Sequence, residues 1–260
     1  MLAAAREHTI PGWTELETEF DAWSALGKRA TFWWRDDDAT RTGPRLDRLL
    51  AIANERPLSL AVIPAQATPE LAQRLKGAAN ITVLQHGYAH TNHAPRDEKK
   101  SEFGNHRAVP AMRSDLTAGK SRLKALFGER FFHIFVPPWN RFANTLPTEL
   151  AVLEFAGLSA FGPRAEYGVP GVMNCHADII NWRGGRGFLG TEAVLEQIIG
   201  HLAMRRSGKA DLLEPTGLLT HHRDHDPDCW RFIECLLQAI DSHPATAWRS
   251  PVMEFPGARQ

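Results

Sequence analysis

Ionisable residues in this chain gather where apolar runs stop. Phe32-Trp33-Trp34-Arg35 leads into Asp36-Asp37-Asp38, and Ile81–Gln85 leads into His86. Phe131–Val136 leads into Pro137-Pro138-Trp139-Asn140, and Gly217-Leu218-Leu219-Thr220 into His221-His222. Three adjacent carboxylates repel one another and need a cation, a basic partner or solvent. A solvated turn would meet that need. So would a metal ion, which favours the ionised form of both a ligating aspartate and a neighbouring aspartate acting as general base. The run leaves open whether the pair is Asp36-Asp37 or Asp37-Asp38.

His86 and His90 are four residues apart, and a helical turn over 86–90 would bring both to one ion. Gly87 lets the chain leave its strand closely around that ion, and His93 stands three residues further on as a supporting residue. One aspartate and two histidines make a mixed N/O donor set suited to Zn²⁺, with other divalent first-row ions open. His221 follows an apolar run, where an imidazole can protonate a leaving nitrogen or oxygen. His222, Asp224 and His225 are at hand to orient it. Pro137 and Pro138 stiffen the segment that presents Trp139 and Asn140. There a backbone N–H can meet an oxyanion and the indole can cover an apolar sugar face. Trp182, four residues after Asp178, offers a second wall.

These residues need a scaffold, and the intervening sequence supplies one. Short apolar runs at 29–35, 59–63, 81–85, 131–136, 158–161, 171–175, 216–220 and 246–249 read as strands. Helical spacing recurs at 14–27, 46–52, 112–127, 144–156, 191–204 and 227–240. Thr68-Pro69 and Asp226-Pro227 read as helix starts, with the polar residue at the cap and proline in the first turn. Residues 94–109 are polar and read as an exposed loop. Strands alternating with helices predict a parallel α/β architecture, whose sites assemble at strand ends. Neither a dinucleotide-binding glycine loop nor a phosphate-binding lysine loop is present.

With 260 residues, 43% of them apolar, the chain fits a single α/β domain spanning 1–260. Thirty basic residues balance thirty acidic ones, so no nucleic-acid footprint is expected. No apolar run approaches a membrane span. The first residues meet Arg6, Glu7 and His8 too early for a secretory leader, which makes the cytoplasm the expected location. Cys175, Cys229 and Cys235 have no zinc-ribbon or redox spacing and read as buried thiols, with Cys175 close enough to the selected residues to line the site. Oligomeric state is not legible.

Together these segments resemble the polysaccharide deacetylase superfamily, the NodB-like carbohydrate esterases that remove N- or O-acetyl groups. The resemblance runs from residue 31 to 222 and implies a distorted (β/α) barrel of about seven strands. It implies Asp37 as base, Asp38, His86 and His90 as ligands of a divalent metal, and His221 as general acid. It further implies the Trp139 N–H in an oxyanion hole and Asp178 with Trp182 as the element that tunes the acid. Ala39 stands where the family usually has glycine, which favours the Asp37-Asp38 register. Val136 replaces the motif arginine that normally holds the catalytic aspartate; Arg35 and Arg183 are the candidates to substitute. The implied substrate is an acylated carbohydrate. A small non-sugar amide and a non-catalytic carbohydrate-binding role are the alternatives.

Overall fold

The computed structural model describes residues 12–164 and 171–255; the reading of the first residues as lacking a leader lies outside the described part. Eight strands are β1 (Ala30–Ala39), β2 (Leu58–Val62), β3 (Ile81–His86), β4 (Phe131–Val136), β5 (Gly157–Leu158), β6 (Ala177–Asp178), β7 (Thr216–Thr220) and β8 (Thr246–Trp248). Every pairing between them is parallel. Parallel neighbours need long crossovers. These are supplied by α2 (Pro44–Ala53), α3 (Pro69–Leu75), α4 (Val109–Phe127), α5 (Leu146–Val152), α6 (Thr191–Arg206) and α7 (Pro227–Ser242), with α1 (Trp13–Ala25) preceding β1.

Seven strands follow the order β5-β4-β3-β2-β1-β7-β6, and β8 pairs with the beginning of β1. The sheet curls until its edges nearly meet across the segment 171–178. On one side the Met173 and Cys175 amides donate to the carbonyls of Leu158 and Ala160, at 3.1 and 3.0 Å. On the other, the His176 amide donates to the Gly217 carbonyl at 2.7 Å. The result is a curled, partly open parallel sheet, a distorted (β/α) barrel of the expected kind.

Strand alternation sorts β1 between two apolar compartments. Trp33 joins Ala61, Leu84, Phe132, Ile134, Val136, Cys175 and Leu219 inside the curl. Phe32 and Trp34 face the helices, with Leu46, Leu49, Leu195, Ile198, Phe232 and Leu236 in the outer core. Both predicted caps form: the Thr68 hydroxyl accepts from the Leu71 amide, and the Asp226 carboxylate from Asp228 and Cys229.

Three sequence expectations about the elements need correction. The run 171–175 makes only isolated bridges, from Val172 and Cys175, and the short strand beside β7 is β6 instead. The strand predicted to end at Arg35 continues to Ala39, so the acidic run is part of the sheet. Residues 94–109 are also not wholly an exposed loop: Ser101, Glu102, Phe103 and Gly104 are buried, and α4 begins at Val109. Phe103 anchors a third apolar cluster with Phe135, Leu146 and Phe155, which an account based on polarity alone passes over.

Buried neutral histidines give the fold a pH dependence. Burial, assisted by Lys120 and Lys124, pushes His133 on β4 down to about 4. Burial with His222 and His221 nearby likewise holds His225 at about 4, against the pull of Asp36. Both start from 6.5 when unfolded, so the folded state binds fewer protons between the two values. Their stabilisation is complete above 6.5 and is lost as pH falls towards 4. The unfolding temperature is therefore expected to decline as pH is lowered across that window. His133→Leu should flatten part of the decline; parallel curves for variant and parent would contradict this assignment.

Candidate metal centre and cleft

Adjacent residues on a regular strand point to opposite faces, so Asp37 and Asp38 should not share a cleft. The β1–β2 register shifts between Asp36 and Ala39, and Asp38 has a φ of 68°. This bulge re-aims Asp38 to the side already occupied by Asp37. Asp36 faces the other way. Its carboxylate accepts from the Thr220 hydroxyl at 2.7 Å, the His222 amide at 2.9 Å and the His222 ring Nδ1. Burial would raise the Asp36 carboxyl, but His222, with His225 and the Thr220 hydroxyl, holds the group low.

Arg35 lies on the same face of β1 as Asp37 and is fully buried. Its Nε and Nη2 donate to Asp37 Oδ1 and Oδ2 at 2.8 and 3.0 Å, a two-point ion pair. The remaining donors reach the Ser159 hydroxyl at 2.6 Å, the Ser159 carbonyl at 3.0 Å, and Asn140 Oδ1 at 3.0 Å. Of the two candidate arginines, Arg35 holds Asp37. Val136 belongs to the apolar interior.

Asp38 Oδ1 lies 3.2 Å from His86 Nε2 and 3.4 Å from His90 Nε2. His86 Nδ1 is 3.1 Å from the Val136 carbonyl, which fixes the proton on that nitrogen and leaves the Nε2 lone pair for the site. Asp38 Oδ1 is buried without a hydrogen-bond partner. Burial would raise the Asp38 carboxyl, yet the close approach of His86, with His221 and His90 nearby, holds it well below the usual carboxylate range. Burial lowers His86, but Asp37 and Asp38 together push it upward; His90, buried beside His86, is held down at about 4. An orphaned carboxylate oxygen facing two imidazole nitrogens fits a divalent cation.

The 86–90 segment is not helical, contrary to expectation. It is a bend with positive φ at Gly87 (56°) and His90 (58°). Glu102, which sequence reasoning missed, organises it by accepting from the Tyr88, Ala89 and Thr91 amides at 3.1, 2.8 and 3.4 Å. A Cβ on Gly87 would sit 2.0 Å from Glu102 Oε2 and 2.5 Å from Pro138 Cγ. Gly87→Ala is thus expected to cost about 1–3 kcal/mol and to weaken metal retention, because φ and space both forbid the methyl. Thermal unfolding and bound-metal content would check this; unchanged values for both would refute it.

His221 leaves the end of β7 and is 8% exposed, with Nδ1 free of any hydrogen-bond partner among the described residues. Its ring stands edge-on to Trp182 at 4.6 Å between centroids. Trp182 Nε1 donates to Asp178 Oδ2 at 2.7 Å, and the Ile180 amide donates to Oδ1 at 2.9 Å. Burial pushes the Asp178 carboxyl up despite those bonds and the nearby His221. Trp139 has a φ of 58° and packs on His90 at 4.3 Å between centroids.

A cleft of about 880 Å³ unites Asp37, Asp38, His86, His90, Trp139, Asn140, Asp178, Trp182 and His221. Four selected residues do not line it. Pro138 is buried beneath the 86–90 bend, and Asp36 and His222 pair behind β1. His93 is exposed with its amide on the Ser101 carbonyl, so it does not support the histidine pair. Cys175 is also absent from the wall: it is an interior thiol that burial pushes up to about 12.

No protein-family model and no curated protein sequence matches the chain. Solved structures do. A peptidoglycan N-acetylglucosamine deacetylase aligns at a TM-score of 0.57 and 14% identity, covering 92% of this chain and 98% of its own. A family 4 carbohydrate esterase from Streptomyces lividans aligns at 0.55 and 16% identity, covering 84% and 91%. The chitin deacetylase of Colletotrichum lindemuthianum aligns at 0.55 and 12%, covering 87% of each chain. The chain therefore has the fold of the NodB-like polysaccharide deacetylases, shared at low sequence identity.

Proposed function

We propose that this chain is a metal-dependent hydrolase that removes an acetyl or similar acyl group from an amide or ester of a carbohydrate. The observation that carries the reading is convergence in one cleft. A candidate metal triad, an aspartate clamped by arginine and a histidine against a tryptophan all face the same space.

Asp38, His86 and His90 would hold the ion, and Zn²⁺ suits their donor set best. When bound, such an ion polarises an acyl oxygen and makes water a better nucleophile near neutral pH. Asp37 is the general base. Its carboxylate is held in place by Arg35, so that its orientation is fixed before substrate arrives. Water attack on the acyl carbon passes a proton to Asp37, and the Trp139 backbone N–H stabilises the oxyanion that develops. His221 then protonates the departing amine or alcohol. The Trp182–Asp178 hydrogen bond fixes the indole that confines the His221 ring.

The non-catalytic carbohydrate-binding alternative draws on the Trp139 and Trp182 walls and on the missing motif arginine. The Arg35–Asp37 pair weighs against the last of these, since an arginine clamps the aspartate from a different position. A small acylated amine remains the second substrate class to test. Metal-stripped and Zn²⁺-restored protein should be assayed on N- and O-acetylated sugars and on small acylated amines, beside Asp37→Asn and His221→Ala. Removing either proton-transfer group is expected to reduce turnover by about 10²–10⁴-fold. Turnover indifferent to the metal and to both substitutions would reject this metal-dependent site as the place where hydrolysis occurs. Acetate released only from small amines would reject the carbohydrate.

A further inference from the structure

The chain has no formal net charge, so an excess of one sign at any place is a local feature. Many surface arginines are matched: Arg48 with Glu234, Arg56 with Asp241, Arg74 with Asp47, Arg113 with Glu149 and Arg206 with Glu19. The cleft differs. Its wall carries Lys100, Arg141, Arg183, Arg186 and Arg223. Of its acids, Asp37 is paired with Arg35, Asp38 faces the two histidines where a cation would bind, and Asp178 accepts from Trp182. Asp224 alone answers a rim cation, 4.0 Å from Arg186. Lys100, Arg141, Arg183 and Arg223 form no ion pair with a carboxylate among the described residues.

These cations are placed around the reacting position. Arg223 Nη1 donates to the Asp38 carbonyl at 3.4 Å, beside the metal triad. The Arg186 guanidinium lies 5.8 Å from the Trp182 ring centre, on the indole that packs against His221. Arg141 donates to the Lys100 carbonyl at 3.0 Å, which keeps those two neighbours together beyond Trp139 and Asn140. Like charges crowded at a cleft mouth repel, and the same field concentrates an anion there. Phe161 and Trp182, each 43% exposed, add flat apolar walls between the charges.

We infer that the cleft takes an anionic ligand, a sugar-like molecule bearing a phosphate or carboxylate beside its acyl group, with the rim cations receiving that charge. The hydrolase reading supplies what happens to the ligand; the ligand's charge is argued from the rim alone. Glucose, glucose 6-phosphate and glucuronate carry no acyl group, so their binding is read without turnover. Calorimetry or NMR titration should be run on metal-loaded and metal-free protein, at low and high salt.

At least one anionic sugar is expected to bind roughly tenfold or more tightly than glucose at low salt, with the advantage shrinking as salt screens the rim. The triple variant Lys100→Gln, Arg183→Gln, Arg186→Gln should lose that advantage while keeping the parent's bound-metal content and unfolding temperature. The phosphate and carboxylate arms identify which anion the rim prefers. Equal binding of all three sugars, or a preference that survives the triple substitution, would overturn the inference. Anion-selective binding without hydrolysis of any acylated sugar or small acylated amine would sink the hydrolase reading and leave the anionic ligand standing. Hydrolysis with no preference for charge would do the reverse.

Discussion

Replacing Arg35 by methionine is expected to lower kcat/KM by about 10²–10³-fold while leaving the metal bound, because the base loses its orientation and the triad does not. Arg35 is fully buried, and four of its neighbours, Asp37, Asn140, Ser159 and Ala160, accept hydrogen bonds from it. Its removal leaves the Asp37 carboxylate buried without a cation, so a stability loss of about 3–5 kcal/mol should accompany the kinetic one. Arg35→Lys separates the two effects: it keeps the charge but cannot form the planar two-point pair, so stability should recover more than turnover does. A more demanding variant combines Arg35→Met with Val136→Arg, returning the arginine to the usual motif position. Partial recovery of kcat would show that the interior accepts the clamp from either strand. If Arg35→Met folds, holds metal and turns over at the parent rate, Asp37 is not the base or needs no positioning.

The second large effect concerns the triad. Asp38→Ala and His86→Ala are each expected to reduce bound metal sharply and turnover by at least about 10²-fold, since even loss of a supporting residue costs 10–100-fold. His86 acts from both nitrogens, one towards Asp38 and one towards the Val136 carbonyl. A readout independent of activity follows from linkage. An ion that binds only the folded chain stabilises it by about 4 kcal/mol when present at a thousand times its dissociation constant. Chelation should therefore lower the unfolding temperature of the parent and leave that of Asp38→Ala unchanged. Elemental analysis would establish which ion is retained. An identical response to chelator in the parent and both variants would remove the metal from this site.

Apart from β6, the alternation of strands and helices, the caps at Thr68 and Asp226 and the gathering of polar groups at strand ends were legible in sequence. Each depends on residues close together in the chain: apolar runs, cap residues and prolines. His86, His90 and His221 were legible for the same reason, as imidazoles immediately following strands or one bend away. Sequence pattern could not decide the Asp register, because three identical residues in a row give alternation no reference. The bulge at Asp38 settled which carboxylates share the cleft, and a left-handed φ is not encoded by an aspartate as it would be by a glycine. Glu102 was invisible within a polar stretch, since its partners are three backbone amides that any residues could supply. His93 was selected on spacing, and the bend that replaced the expected helical turn carried it outward.

What the sequence determined about the polar cluster at the strand ends is therefore the set of groups: an acidic run, two histidines and a third opposite them. Tertiary structure alone decided how they are divided. Asp36 went to His222 behind the sheet, Asp37 to Arg35, and Asp38 to His86 and His90. The physical reason is that a strand offers two faces to consecutive residues. Which face is the cleft depends on the curl of the whole sheet, and so on packing contacts far from the acidic run.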